Sequence, residues 1–241
     1  MTDILVVIPA RYNSSRFPGK PLADINGKSM INRVWEKCVL AAGPKNVLVA
    51  TDDERIINHC CENGISSVMT SKDCLTGSDR VYEVALDNHA DIYINVQGDE
   101  PMIDPADIKR VMEFARNNNS NVVNAMCSIK EEKDFISPNV PKVVTRDDGR
   151  LLYMSRAPIP AGKQHEFKSA MKQVCIYAFP RDLLLKYGSQ KNKSALESIE
   201  DLEILRLLEM GNEVLMIEVS DSSVAVDIPE DLKRVRSLIH D

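Results

Sequence analysis

No apolar run in the chain approaches the roughly 18 residues that suggest a membrane-spanning helix. No charged-then-apolar leader opens it either, so a span and a secretory signal are both unexpected, and the protein reads as cytoplasmic. Positive charge is in deficit: 30 Lys and Arg face 36 Asp and Glu, a net charge of −6. That balance argues against non-specific binding to nucleic acid or to a membrane surface. The six cysteines, Cys38, Cys60, Cys61, Cys74, Cys127 and Cys175, lack CxxC spacing. They read as reduced thiols, with neither a disulfide frame nor a zinc site. HExxH and GxSxG are missing, and no GxGxxG follows the first apolar run. Gly27-Lys28-Ser29 invites a P-loop reading, but that loop needs a glycine five positions before Gly27, where the chain has Leu22. There is no internal repeat and no low-complexity segment.

What remains is a chain of 241 residues, 44% hydrophobic, sufficient to bury the core of one α/β domain with a small appendage. Ile4 to Ile8 reads as a buried strand, ended by Pro9 because proline cannot donate to a ladder. The loop beyond it carries Arg11, Ser14, Ser15, Arg16, Gly19 and Lys20. In open α/β sheets this edge is where ligands bind. Arginine matches phosphate oxygens as a planar fork and lysine adds a compact charge. The loop therefore suits a polyphosphate; a solvated basic loop is the plain alternative.

The order of elements follows from periodicity and punctuation. Helices are expected over Met30–Ala42, Glu54–Asn63, from about Arg80 to His89, and over Pro105–Arg116 with Asp104 as N-cap. Strands are expected at Val47–Ala50, Ser67–Thr70 and Asp91–Val96. This alternation argues for a mostly parallel sheet flanked by helices. After Asn119 the rhythm changes. Val122–Ile129 and Val174–Phe179 read as strands, and Lys142–Thr145 with Leu151–Ser155 as a hairpin turning at Asp148-Gly149. One helix is expected over Ser198–Met210, then a strand at Val214–Val219 and a final helix opened by Pro229. The whole is read as one domain, 1–241. Residues 1–120 form a nucleotide-binding half, 121–220 a small mixed β platform, and 221–241 a return to the main sheet.

Asp99 follows a buried strand, and Asp227 lies between an apolar run and a proline-opened helix. Carboxylates in such places suit magnesium, which takes hard oxygen donors and shares itself with substrate phosphates. The plain alternative for each is capping a turn or helix. Gln97 has donors and acceptors for a base or sugar. Arg80 reads equally as a ligand or a helix-surface charge.

IPARYNSSRFPGKPLADINGKSMI, NVQGDEPMI (residues 95–103) and VDIPEDLKRVR together resemble the 3-deoxy-manno-octulosonate (Kdo) cytidylyltransferases, and the likeness runs from about residue 4 to residue 238. The resemblance implies a Rossmann-like nucleotidyltransferase fold. It also implies Mg²⁺ held by Asp99 and Asp227, with CTP and an acidic keto sugar as substrates. Arg11, Lys20, Asp99 and Asp227 would be catalytic. Pro9, Ala10, Arg11, Ser14, Arg16, Lys20, Ser78, Arg80 and Gln97 would hold the nucleotide, TGSDR resembling the family's SGTDR. Gln97, Lys142, Arg156, Gln173, Tyr177 and Glu203 would hold the sugar, with YMSRAPIP resembling YFSRxxIP. The resemblance further implies a homodimer, and a product used for lipopolysaccharide or capsule synthesis. Departures fall at Gln173, Phe179 and Ile204, where the family has a sugar-contacting histidine, a tyrosine and a sugar-contacting glutamine. They raise the alternative of a different acidic acceptor; a non-catalytic nucleotide-binding protein is a second. No histidine is needed as a base: His59 and His89 fall in expected helices, His165 and His240 in polar stretches.

Overall fold

The computed structural model describes residues 2–14, 16–164 and 166–239, so Ser15, His165 and His240 lie outside the described residues. Strand β1 (Ile4–Ala10) is fully apolar and buried on both faces, Val6 and Ile8 packing to one side and Val7 to the other. Pro9 does not end it. Its carbonyl points to the exit of the neighbouring strand, where a Cβ on Gly98 would come within 2.9 Å of it. The N–H and C=O of one strand residue face the same way. The missing N–H therefore faces a side where the ladder has already stopped, at Val7–Asn95.

A two-residue hairpin follows, β2 (Asp24–Ile25) and β3 (Lys28–Ser29), which the sequence reading does not anticipate. Asn26 and Gly27 turn it with φ of 50° and 84°, as the mirror-image turns of short hairpins require. Helix α1 (Met30–Ala42) starts at Ser29, whose Oγ accepts from Asn32 N–H at 3.3 Å. Then come β4 (Val47–Thr51), α2 (Glu54–Glu62), β5 (Ser67–Met69), α3 (Gly77–Asp87), β6 (Ile92–Val96) and α4 (Pro105–Asn117). Asp104 caps α4, accepting from Ala106 N–H at 2.8 Å, with Pro105 in the first turn as expected. His89 lies just past α3. Strands β6, β1, β4 and β5 run parallel.

The second half comprises β7 (Val122–Ser128), α5 (Glu132–Ile136), β8 (Lys142–Thr145), β9 (Leu151–Ser155), β10 (Met171–Pro180), α6 (Arg181–Gly188), α7 (Ala195–Glu200), α8 (Ile204–Glu209), β11 (Val214–Glu218) and α9 (Pro229–Leu238). The sheet order is β11-β7-β10-β6-β1-β4-β5. Strand β10 lies antiparallel between β6 and β7 and joins the two halves. Residues 121–220 thus complete the main sheet, and of their strands only the β8–β9 hairpin projects from it.

Two expectations are corrected here. Among the described residues, 221–239 add no strand to the sheet. Val226, Leu232 and Val235 instead cover Ile25 and Met30 beside the β2–β3 hairpin. The serine-rich start of this segment is held by side-chain hydrogen bonds, Ser220 N–H donating to Asp107 Oδ1 at 3.1 Å. The single helix expected over Ser198–Met210 is two helices, broken at Asp201 with φ of 51°. The Arg156 side chain takes the carbonyls of Glu200 and Asp201, at 2.6 and 3.1 Å, and so ends α7.

Where α6 meets α3, Gly188 lies against the Tyr82 ring, and a Cβ there would stand 1.9 Å from Cγ. A ring held between helices yields only by moving a helix. Gly188→Ala is expected to cost about 1–3 kcal/mol as overpacking, read as a lower urea midpoint at an unchanged slope.

Candidate active site

The loop after β1 is a closed turn. Gly19 N–H donates to Tyr12 O at 2.9 Å, and Ser14 Oγ accepts from Phe17 N–H at 3.3 Å. The Arg55 guanidinium lies over the Tyr12 ring, 3.3 Å from its centroid. Gly19 has φ of 73°, and the Tyr12 ring is 3.1 Å from where its Cβ would be, so glycine fits on both grounds. The turn sends Lys20 inward. Its Nζ donates to Asp99 Oδ2 at 2.7 Å and to Val226 O at 2.8 Å, and stands 3.8 Å from Asp227 Oδ1. Arg16 pairs with Asp227 at 3.1 Å. Asp99 comes from the end of β6 and Asp227 from the segment before α9, 128 positions apart in sequence by their numbering. Gly98 permits this convergence, since only a residue without a side chain lets the exit of β6 cross the Pro9 carbonyl.

Arg11 is exposed. Its charge helps hold the Asp201 carboxyl below its usual range, after the larger effect of the Lys193 hydrogen bond. Pro9 and Ala10 are buried in β1. Among the described residues no three of His, Cys, Asp and Glu converge on one point. Asp99 and Asp227 are the two carboxylates that lie beside Lys20 at this edge. The Lys20 ammonium already lies beside both, so the place favours positive charge.

A second polar group gathers around Glu203. Ser78 N–H donates to Glu203 Oε2 at 3.0 Å and Gln97 Nε2 to Oε1 at 3.4 Å. The Ser78 hydroxyl accepts from Asn95 at 3.1 Å inside the core. Gln173 Nε2 donates to Asn124 Oδ1 at 2.9 Å and to Tyr177 Oη at 3.0 Å. Arg80 is 3% exposed and is no helix-surface charge. It bonds Thr70 Oγ1, Ser71 O at 3.2 Å and Asp52 at 3.2 Å.

Lys142 and Arg156 differ from the expectation of side chains free to face a sugar. Lys142 is fully buried and donates to Ser137 O at 2.8 Å and Arg156 O at 2.5 Å. Arg156 donates to Glu200 O, Asp201 O and Pro138 O. Their charged ends frame the platform by holding backbone carbonyls. Burial, and then the charge of Arg156, push the Lys142 ammonium below its usual value.

Phe179 and Ile204 are each 1% exposed and lie in the hydrophobic core with Leu205 and Leu207. Two of the three sequence departures are therefore packing positions, and the case they made for another acceptor falls away. Gln173 alone stays in the polar group.

Sequence reasoning missed two charged residues that organise the site. Glu100, buried beside Asp99, bonds Ser223 Oγ and accepts from Cys175 N–H at 3.2 Å. Arg206, 1% exposed, bonds Asp79 at 2.6 and 3.2 Å and Glu197 twice at 2.7 Å, with the Tyr187 ring 4.1 Å from its guanidinium carbon. A single charge within the apolar stretch ILRLL, residues 204–208, was the available signal for Arg206.

Burial raises the Glu203 carboxyl above its ordinary 4.5. Just above that value the folded chain retains a proton the unfolded chain has lost, so this group's stability contribution declines as pH rises through the window. Glu203→Gln removes that titration. The variant is expected to gain stability relative to wild type as pH rises above the ordinary glutamate range, read from urea midpoints.

Comparison with known proteins follows this geometry closely. The cytidylyltransferase family model matches residues 5–217. The 3-deoxy-manno-octulosonate cytidylyltransferase of Escherichia coli is 42% identical over 239 residues, covering 99% of this chain and 97% of the relative. The enzyme of the same name from Trichlorobacter lovleyi is 42% identical over 246 residues, covering 97% of each. A solved structure of CMP:2-keto-3-deoxy-manno-octonic acid synthetase complexed with CTP has a TM-score of 0.90 at 41% identity, covering 98% of both chains. The chain is a nucleotidyltransferase and belongs to the cytidylyltransferase family, among its 3-deoxy-manno-octulosonate members.

Proposed function

We propose that this enzyme transfers CMP from CTP to Kdo and releases pyrophosphate. The convergence of Arg16, Lys20, Asp99 and Asp227 at the C-terminal edge of the sheet carries the reading. In the reaction the anomeric oxygen bonds the α-phosphorus, the bond from that phosphorus to the bridging oxygen of pyrophosphate breaks, and the hydroxyl proton is released. Arg11 and Arg16 neutralise the departing pyrophosphate. Lys20 uses two of its three N–H donors on Asp99 and Val226 O, leaving one for a phosphate oxygen. Ser78 and Gln97 seat the nucleotide, with Arg80 bracing the helix of Ser78 from behind. Gln173, Tyr177 and Glu203 face the sugar, with Lys142 and Arg156 holding the frame. Two carboxylates without further protein ligands fit Mg²⁺, which commonly keeps waters and shares itself with substrate phosphates. Bound by Asp99 and Asp227, it would supply Lewis acidity at the α-phosphate and lower the pKa of the attacking hydroxyl. The rest of the catalysis is positioning and charge stabilisation.

The same proposal places the enzyme in the cytoplasm as a homodimer, its product serving lipopolysaccharide or capsule synthesis. No helix among the described residues is long and apolar enough to cross a membrane.

The test is pyrophosphate release from CTP and Mg²⁺ with Kdo beside a panel of other 2-keto-3-deoxy sugar acids. The highest kcat/KM is expected with Kdo. Turnover only with another acid would overturn the acceptor, and CTP binding without turnover anywhere in the panel would overturn the activity.

A further inference from the structure

The segment between β11 and α9 contains no helix or strand, yet it carries Asp227 to within reach of Lys20 and Asp99. Something other than a ladder must set its path. Ser220 is tied to Asp107, and Val226 N–H donates to Asp99 O at 2.9 Å. Between them, the Ser223 hydroxyl donates to Glu100 Oε2, while Glu100 Oε1 accepts from Cys175 N–H on β10 at 3.2 Å. Glu100 is 4% exposed and adjacent in sequence to Asp99. One residue, next in sequence to one carboxylate, thus joins the segment bearing the other to strand β10.

We infer that Glu100, through Ser223, is a positioning residue that sets the spacing of Asp99 and Asp227. This rests on the reading of those two aspartates as the cation-holding pair. A residue that only supported the fold would change stability and leave cation affinity alone. One that spaces the pair changes cation affinity first. Partners that orient metal ligands typically change affinity by about ten- to a hundredfold when mutated.

The test uses Mn²⁺ as a paramagnetic probe, titrated into the full-length protein with CTP present and read as loss of the free-ion resonance signal beyond that caused by CTP alone. Ser223→Ala removes the clasp from the loop side with little risk to folding. Glu100→Ala removes it from the strand side, and Asp227→Ala is the control. Both clasp variants are expected to weaken Mn²⁺ binding about tenfold or more. Each should keep a wild-type far-ultraviolet spectrum and recover kcat when Mg²⁺ is raised. Unchanged Mn²⁺ affinity in both, with binding abolished in Asp227→Ala, would overturn the clasp alone. Mn²⁺ binding that survives in Asp227→Ala would overturn the cation pair itself, and the clasp with it.

Discussion

Asp99→Asn is expected to lower kcat by on the order of a hundred- to a thousandfold while the protein stays folded. The amide has nearly the same size and keeps one oxygen, so the exit of β6 past Gly98 is undisturbed. What it loses is the charge that attracts Lys20 at 2.7 Å and that would share Mg²⁺ with Asp227. In phosphoryl-type transfers most of the catalysis is electrostatic, so removing a fixed charge falls on turnover. Stability is barely touched, because the Asp99 side chain is 28% exposed and its ion pair is partly screened. The KM for CTP changes less than kcat, since Arg11 and Arg16 are intact and Lys20 is freed toward the phosphates. Steady-state kinetics with CTP varied at saturating Kdo and Mg²⁺ measure this. A kcat within tenfold of wild type would remove Asp99 from the mechanism.

Arg206→Met is expected to have the largest effect on stability, a loss of about 3–5 kcal/mol. Arg206 and Glu197 are each 1% exposed at the side chain, and Asp79 is 11% exposed. Desolvation by burial opposes the Arg206 charge, but its hydrogen bonds to Glu197 and Asp79 outweigh that and hold the guanidinium above its ordinary value. Methionine fills similar volume and leaves two buried carboxylates without their cation. Urea unfolding reads the loss. Adding Asp79→Asn and Glu197→Gln to Arg206→Met neutralises the remaining charges and should recover much of it. Failure to recover would mean that packing against Tyr187, more than charge, is what Arg206 supplies. Asp79 also accepts from the Thr76 hydroxyl at 2.7 Å at the start of α3. The single variant therefore loosens Ser78 as well, and a raised KM for CTP should accompany the lost stability.

The first half of the chain was legible because its strands are continuous apolar runs and its helices open on caps such as Ser29 and Asp104. The misreadings have particular causes. Pro9 was read by its missing donor, yet that donor faces a side with no ladder. The Asn26-Gly27 hairpin is short, but its turn pair was a signal open to reading. The break at Asp201 follows from Arg156, 45 positions away by numbering, and no local propensity announces it. At the site, Lys20, Asp99 and Asp227 were legible through their motifs. That Lys142 and Arg156 would hold carbonyls, and that Ile204 and Phe179 would face the core, depends on which side of β10 and α8 is covered. Only the assembled sheet decides that.

The most direct measurement follows the label from CTP labelled at the α-phosphate, incubated with the enzyme and Kdo, with and without Mg²⁺. The label is expected in a CMP–Kdo ester, with one pyrophosphate released per ester formed, only when Kdo and Mg²⁺ are both present. Label recovered as free CMP without any sugar ester, or ester formed equally well after complete chelation of the metal, would contradict the account.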